Sequence, residues 1–276
     1  MSGFRVVTDS TADLPKAWQR EFEIEVVPLR VLFGKESFQD GVDLSNRQFF
    51  ERLQTSQQLP TTSAPSPGDF AKVYERLSGE CDGVISIHLG STLSATCESA
   101  RVGAQSVEGF PVHVIDSGST SMCIAFLCHV AARATTLEEA VAQTQQRVDR
   151  LGMLALLDTM RYIQMGGRIS KIQYLLGSML DVKPLLGLER GEIRPIDRTR
   201  TRGKAITGMV KRLEEVGPLE YLAVVHGNAP EDADRLAGLV GELHPDLTLQ
   251  RGEIGAVLGT HTGPGALGLV YLKQGG

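Results

Sequence analysis

The chain has 276 residues, 42% hydrophobic and 22% charged, with a formal net charge of -5. That length allows one large domain or two modest ones, each able to bury its own core. The acidic balance argues against nucleic acid or an anionic membrane surface as a partner. The four cysteines, Cys81, Cys97, Cys123 and Cys128, form no C-x-x-C pair and have no histidine cluster at zinc spacing. They read as buried reduced thiols, and no metal site is expected. The opening MSGFRVVTDS enters a strand at once, without a signal-peptide core. No run approaches the ~20 apolar residues of a membrane span, so a soluble, cytoplasmic protein is expected.

Phe4 to Thr8 is a short apolar run ending in Asp9-Ser10-Thr11-Ala12-Asp13, a buried strand followed by a helix cap with Pro15 in the first turn. Ile24 to Phe33 is a second strand-like run, and Ser45 caps a helix through about Leu53. LPTTSAPSP (59–67) carries three prolines and a run of hydroxyls, which forbids a helix and predicts an ordered loop. Asp69 to Leu77 is helical. GVISIHL (83–89) is a strand running into GSTLSAT and a helix from about Ser94. Val112 to Ile115 repeats the pattern, with Asp116-Ser117-Gly118 and then a helix through Ala134. Strands alternating with helices imply a parallel sheet with covered faces. Ligands of such sheets bind in the crevice beyond the strand C-termini.

Beyond Thr135 the pattern predicts a helix over Leu137–Leu151, a strand over Met153–Asp158, and a turn into a helix at GGRIS (166–170). A hairpin over Lys183–Ile196 turns around residues 189–192, followed by a helix over Ala205–Val216. Then come a strand over Leu219–His226, a helix over Pro230–Leu243 and a strand over Leu247–Ile254. The final GAVLGTHTGPGALGLVYL reads as a Gly-rich loop entering a strand. The predicted fold class is therefore α/β with two domains. Residues 1–152 are expected to form a Rossmann-like parallel-sheet domain, and residues 153–276 a second α/β domain whose last segment folds back to the cleft between them.

Three constellations carry chemistry. Thr61-Thr62-Ser63, held between Pro60 and Pro65, can bond an oxyanion without adding charge, or can serve as a turn that satisfies its own backbone. The turn from Gly90 to Thr96 opens a helix after a buried strand, which suits an anion or a plain N-cap. It is neither a Walker A motif nor a nucleophile elbow. His261 stands alone among Gly259, Gly263, Pro264 and Gly265, a setting that positions functional groups. Histidines 88, 113, 129, 226 and 244 lack that setting. Asp9, Asp13 and Asp116 follow strands, and helix capping explains them without a metal.

VVTDSTADLP (6–15), PTTSAPSPGDF (60–70), LGSTLSAT (89–96), IDSGSTSM (115–122), GGRIS (166–170), RTRGKA (200–205) and GTHTGPGALGL (259–269) together resemble the DegV family over essentially the whole chain. The resemblance implies a two-domain α/β fold enclosing one long-chain fatty acid in a tunnel. Members of that family include the binding subunit of bacterial fatty acid kinase, whose separate catalytic subunit phosphorylates the bound acyl carboxylate. It implies carboxylate ligands in the Thr61-Thr62-Ser63 loop, Thr62 above all. The second loop supplies Ser91 or Ser94, with Ser91 the better match, and His261 lies beside the same carboxylate. Here Gly90, Thr92 and Ala95 stand where the family often has Ser, Gly and Gly, so the backbone at Thr92 must not need a positive φ.

The expected function is thus a fatty-acid carrier that presents its carboxylate to a partner kinase, without cofactor or catalytic residue of its own. Membrane contact would be transient at most. Met122–Ala134 and Ile172–Leu188 are candidate tunnel walls, with ordinary core as the alternative. Arg168, Arg200 and Arg202, with Arg198 beside them, are candidates for contacting the kinase or the transferred phosphoryl group, or else a solvated face. Two other functions compete. One is a hydrolase or transferase with Ser91 or Ser94 as nucleophile and His261 as base, for which the sequence nominates no orienting group. The other is a lipid sensor acting through protein contacts.

Overall fold

The computed structural model describes residues 3–168 and 182–275. Its first strands are β1 (Phe4–Asp9), β2 (Glu25–Val27), β3 (Arg30–Phe33), β4 (Glu36–Gln39), β5 (Thr61–Ser63), β6 (Gly83–His88) and β7 (Val112–Asp116). Six more follow: β8 (Leu151–Leu156), β9 (Lys183–Glu189), β10 (Glu192–Thr199), β11 (Leu219–His226), β12 (Leu249–Glu253) and β13 (Leu267–Lys273). They form a four-stranded sheet ordered β2-β1-β6-β7, a six-stranded sheet ordered β10-β9-β8-β13-β11-β12 and a three-stranded sheet ordered β4-β3-β5. The first is parallel throughout. The second is antiparallel except where β11 meets β12.

The parallel sheet is covered on both faces, which is why β6 is buried along its whole length. Phe70, Tyr74 and Leu77 of the helix Pro67–Ser78 pack on one face with Val7 and Val84. The helix Met122–Ala132 packs on the other, with nine residues buried. That helix is apolar all round because it is covered on two sides. It contacts β1 and β6 of the first sheet and β8, β11 and β13 of the second. The outer face of the second sheet is closed by Ala205–Leu213 and Ala233–Val240 of two amphipathic helices.

Three local expectations change. The run from Ile24 to Phe33 is two strands in different sheets, because Pro28 interrupts it and the chain leaves the parallel sheet there. The proline-rich loop contains β5, which pairs antiparallel with β3 between its flanking prolines. The Gly-rich C-terminal segment is not a loop up to its strand. Ala256–Thr262 is a seven-residue helix, and His261 lies in its last turn. The predicted helix after GGRIS falls outside the described residues.

Among the described residues no helix is long and apolar enough to cross a membrane, and no cluster of three or more metal-ligating side chains occurs. All four cysteines are free and buried. Burial pushes the Cys123 and Cys128 thiols up to about 12, which leaves them unreactive.

Candidate functional site

An apolar cavity lies where the three sheets approach one another. The space between its walls, counted out to the open mouth, is about 880 Å³. One wall is built by Met153, Ala155, Leu186, Gly187 and Leu188 on β8 and β9, with Ile193 of β10. Facing them are Leu29, then Leu89, Leu93 and Ser94 of one loop, and Val257 and Leu258 of the helix Ala256–Thr262. Among the described residues, the polar lining side chains are Thr62, Ser94, Thr120, Arg168, His261 and Thr262.

Thr62 Oγ1 lies 3.0 Å from His261 Nε2, joining residues 199 positions apart. Burial and the nearby Arg168 charge push the imidazole down to about 4, so the ring is neutral at pH 7. Its Nδ1 is buried without a partner among the described residues. A Cβ on Gly166 would stand 2.1 Å from that nitrogen, so only glycine lets the backbone lie against the ring. An orphaned ring N–H costs more than an orphaned lone pair, which places the proton on Nε2. Nε2–H then donates to Thr62 Oγ1, and the Thr62 hydroxyl proton is left to donate elsewhere.

Further donors stand nearby. Ser94 Oγ accepts from the Thr96 amide at 3.3 Å and lies 2.9 Å from Thr96 Oγ1. Arg168 reaches back to the Gly166 carbonyl at 2.6 Å and the Leu93 carbonyl at 3.3 Å, which brings its charge to the cavity edge. Thr120 Oγ1 is buried, lines the cavity and has no partner among the described residues. Sequence reasoning passed over Thr120, although it lies in the IDSGSTSM motif. Its signal was a hydroxyl at a strand end next to the turn that carries Ser94.

The other predicted positions divide according to backbone direction. Alternation along β5 turns Thr62 inward and leaves Thr61 and Ser63 exposed; the Ser63 hydroxyl bonds the Ala64 carbonyl. Ser91 is exposed and absent from the cavity lining, and its amide donates to Asp116 at 3.1 Å. The serine of that turn that reaches the cavity is Ser94. Thr92 has no positive φ, and its hydroxyl donates to the Gly191 carbonyl at 2.7 Å, tying this turn to the β9–β10 hairpin. Met122–Ala132 supplies core between the sheets, with no residue in the cavity wall, because both its flanks are covered. Of the 172–188 segment, Leu186, Gly187 and Leu188 line the cavity and residues 172–181 lie outside the described part. Arg200 is exposed. Arg202 is engaged instead with Asp158 at 2.8 Å and with Asp232, a use of its fork that holds the helix Arg202–Glu214 in place.

A Ser-His-Asp constellation does exist, but in the wrong place for hydrolysis. Ser86 Oγ is 2.6 Å from His88 Nε2, and His88 Nδ1 is 3.0 Å from Asp9 Oδ2. All three are fully buried, and Ser86 also bonds the Tyr74 hydroxyl at 2.8 Å. Asp9 further accepts from the Thr11 and Leu89 amides, both at 3.0 Å, so the network ties the ends of β1 and β6 together. Among the described residues His261 has no carboxylate on Nδ1, and its Nε2 is taken by a threonine. That geometry does not provide an oriented base for Ser91 or Ser94.

A DegV domain-containing protein of Streptomyces coelicolor is 40% identical over 282 residues, covering 98% of each chain. Protein DegV of Bacillus subtilis is 34% identical over 274 residues, covering 96% of this chain and 98% of its own. The crystal structure of that Bacillus subtilis DegV, described as a fatty acid binding protein, superposes with a TM-score of 0.90 at 33% identity over 99% of both chains. A DegV family protein from Thermus thermophilus, described by its fatty acid binding, gives 0.90 at 28% identity over 99% of this chain and 100% of that one. The family model for DegV, described as an uncharacterised protein family, matches residues 3–274, and the chain belongs to the DegV family.

Proposed function

We propose that this protein binds one long-chain fatty acid, with the acyl chain in the apolar cavity and the carboxylate at the Thr62–His261 end. The observation that carries this reading is the cavity itself: leucine, methionine and isoleucine walls with hydroxyls, a neutral imidazole and one guanidinium gathered among them. An isolated carboxylate in such surroundings would be costly. The Thr62 and Ser94 hydroxyls, with the Arg168 charge near, offset that cost. The chain contributes more: at ~0.8 kcal/mol per buried CH₂, about fourteen methylenes gain on the order of 11 kcal/mol before ordering costs. The relatives from Bacillus subtilis and Thermus thermophilus described as binding fatty acids support the same reading.

The bound carboxylate is then presented to a partner kinase that converts it to an acyl phosphate. Two features support this finer reading. Among the described residues, no carboxylate orients His261 as a base for a reaction on the bound acid. Arg168 at the cavity edge and the exposed Arg200 suit contact with phosphate oxygens or an acidic partner surface. Organic extraction of purified protein followed by mass spectrometry tests the first part, and one non-covalent fatty acid per chain is expected. Protein that is empty and does not take up added palmitate would overturn it. Phosphorylation of the bound acid by an added fatty acid kinase catalytic subunit and ATP tests the second.

A further inference from the structure

The helix Ala256–Thr262 supplies Val257, Leu258, His261 and Thr262 to the cavity. Its N-terminus is held by two acids from distant parts of the chain. Asp13 Oδ1 accepts from the Gly255 amide at 2.8 Å, and Asp40 Oδ1 accepts from the Ala256 amide at 3.0 Å. The two carboxylates crowd one spot. A Cβ on Gly255 would lie 3.2 Å from Asp13 Oδ1 and 3.3 Å from Asp40 Oδ2. Asp40 is 4% exposed, its carboxyl is eased by the Ser10 hydroxyl, and its Oδ2 has no geometric hydrogen bond among the described residues.

The other side of the contact is strained. Asp13 adopts a left-handed backbone at φ 46, and Ser121, whose hydroxyl donates to Asp13 Oδ2 at 2.5 Å, sits at φ 55 with ψ -149. Non-glycine residues hold such conformations only where their surroundings over-determine them. Simple capping would need neither the strain nor a second acid.

We propose that Asp13 and Asp40 are paired positioning residues, which set the helix Ala256–Thr262 so that His261 meets Thr62. The inference rests on reading His261 as part of the head-group site. Burial raises both carboxyls, Asp13 to about 8 and Asp40 to about 6, so near neutral pH the pair carries one proton and one negative charge. A single anion suits the partial positive charge of a helix N-terminus, whereas two in the same spot repel. Asp9 is the further acid acting on both. Lys16, Arg47, Arg251 and Glu253 line the crevice outside the pair. Arg251 is itself paired with Asp234. Losing the Asp13 proton therefore loosens the grip and shifts His261, although the imidazole titrates far below that pH.

Two measurements test this. Histidine-selective NMR of the ligand-free protein follows the His261 ring between pH 6.5 and 9. The wild type should show an inflection near pH 8 that Asp13→Asn abolishes, because the amide mimics the protonated acid. In parallel, affinity for carboxyl-labelled palmitate should fall about tenfold across the same range in wild type, the worth of one charge-assisted hydrogen bond. Asp13→Ala should weaken binding at every pH, with Asp13→Asn restoring it. A featureless His261 ring in wild type, or an unchanged inflection in Asp13→Asn, overturns the inference. If the inflection behaves as expected but palmitate never binds, the positioning role stands and the fatty-acid reading falls.

Discussion

Replacing Thr62 by valine removes one hydroxyl while nearly keeping the side-chain shape. The structure gives that hydroxyl two tasks. It lies 3.0 Å from His261 Nε2, from which it accepts when that nitrogen carries the proton, and its own proton is then left to donate to a ligand in the cavity that Thr62 lines. Losing a hydrogen bond to a charged carboxylate costs about 1.5–3 kcal/mol, so palmitate affinity should fall about tenfold to a hundredfold. Folding should suffer less, because the pair is only part-buried and water can reach a displaced imidazole. About 1 kcal/mol corresponds to a Tm decrease of roughly 2–4 °C in a chain of this size. Titration calorimetry with palmitate and a thermal melt separate the two effects. Thr61→Val is the matched control, since Thr61 points to solvent from the same strand. Unchanged affinity in Thr62→Val, or an equal loss in Thr61→Val, would refute the assignment.

Gly166→Ala places a methyl 2.1 Å from His261 Nδ1, so the ring must move; palmitate binding should weaken by at least as much as in Thr62→Val, as read by the same titration. Arg202→Ala should lower Tm by a few degrees, about 1 kcal/mol, because its partners Asp158 and Asp232 are left behind. Arg200→Ala should leave Tm and palmitate binding unchanged and slow kinase-dependent phosphorylation at low salt only; equal rates at low salt would show that Arg200 is plain surface. The pH dependence of stability has a definite sign. His261 is depressed from 6.5 to about 4, so its contribution is complete above pH 6.5 and is lost as pH falls through 4. Asp13 is raised from 3.8 to about 8, so its contribution is complete below 3.8 and is lost as pH rises through 8. Urea midpoints across pH 4–8 should therefore rise in His261→Gln relative to wild type at the acid end, and in Asp13→Asn at the alkaline end.

Much of the architecture was legible along the chain, because it depends on local chemistry. Leu219–His226 and Pro230–Leu243 stand where the apolar runs and Pro230 put them. Ser45 builds a capping box with Gln48. Alternating strands and helices imply a covered parallel sheet, and β6 is buried on both faces accordingly. The motifs likewise named Thr62, Ser94 and His261 as candidates before any of them was placed. What local pattern could not decide was which way each side chain faces and what lies opposite. Thr62 differs from Thr61 only by the alternation of a three-residue strand, and that strand exists only because β3 pairs with it. Ser94 reaches the cavity and Ser91 does not, because the turn is braced from outside by Asp116 and Gly191. Met122–Ala132 reads equally well as tunnel or core until two sheets close on it. Asp13 and Asp40 look like ordinary turn acids until a helix more than 200 residues away brings its free amides to them. Long-range burial decides each of these, since it sets which polar groups lose water and must find partners within the fold.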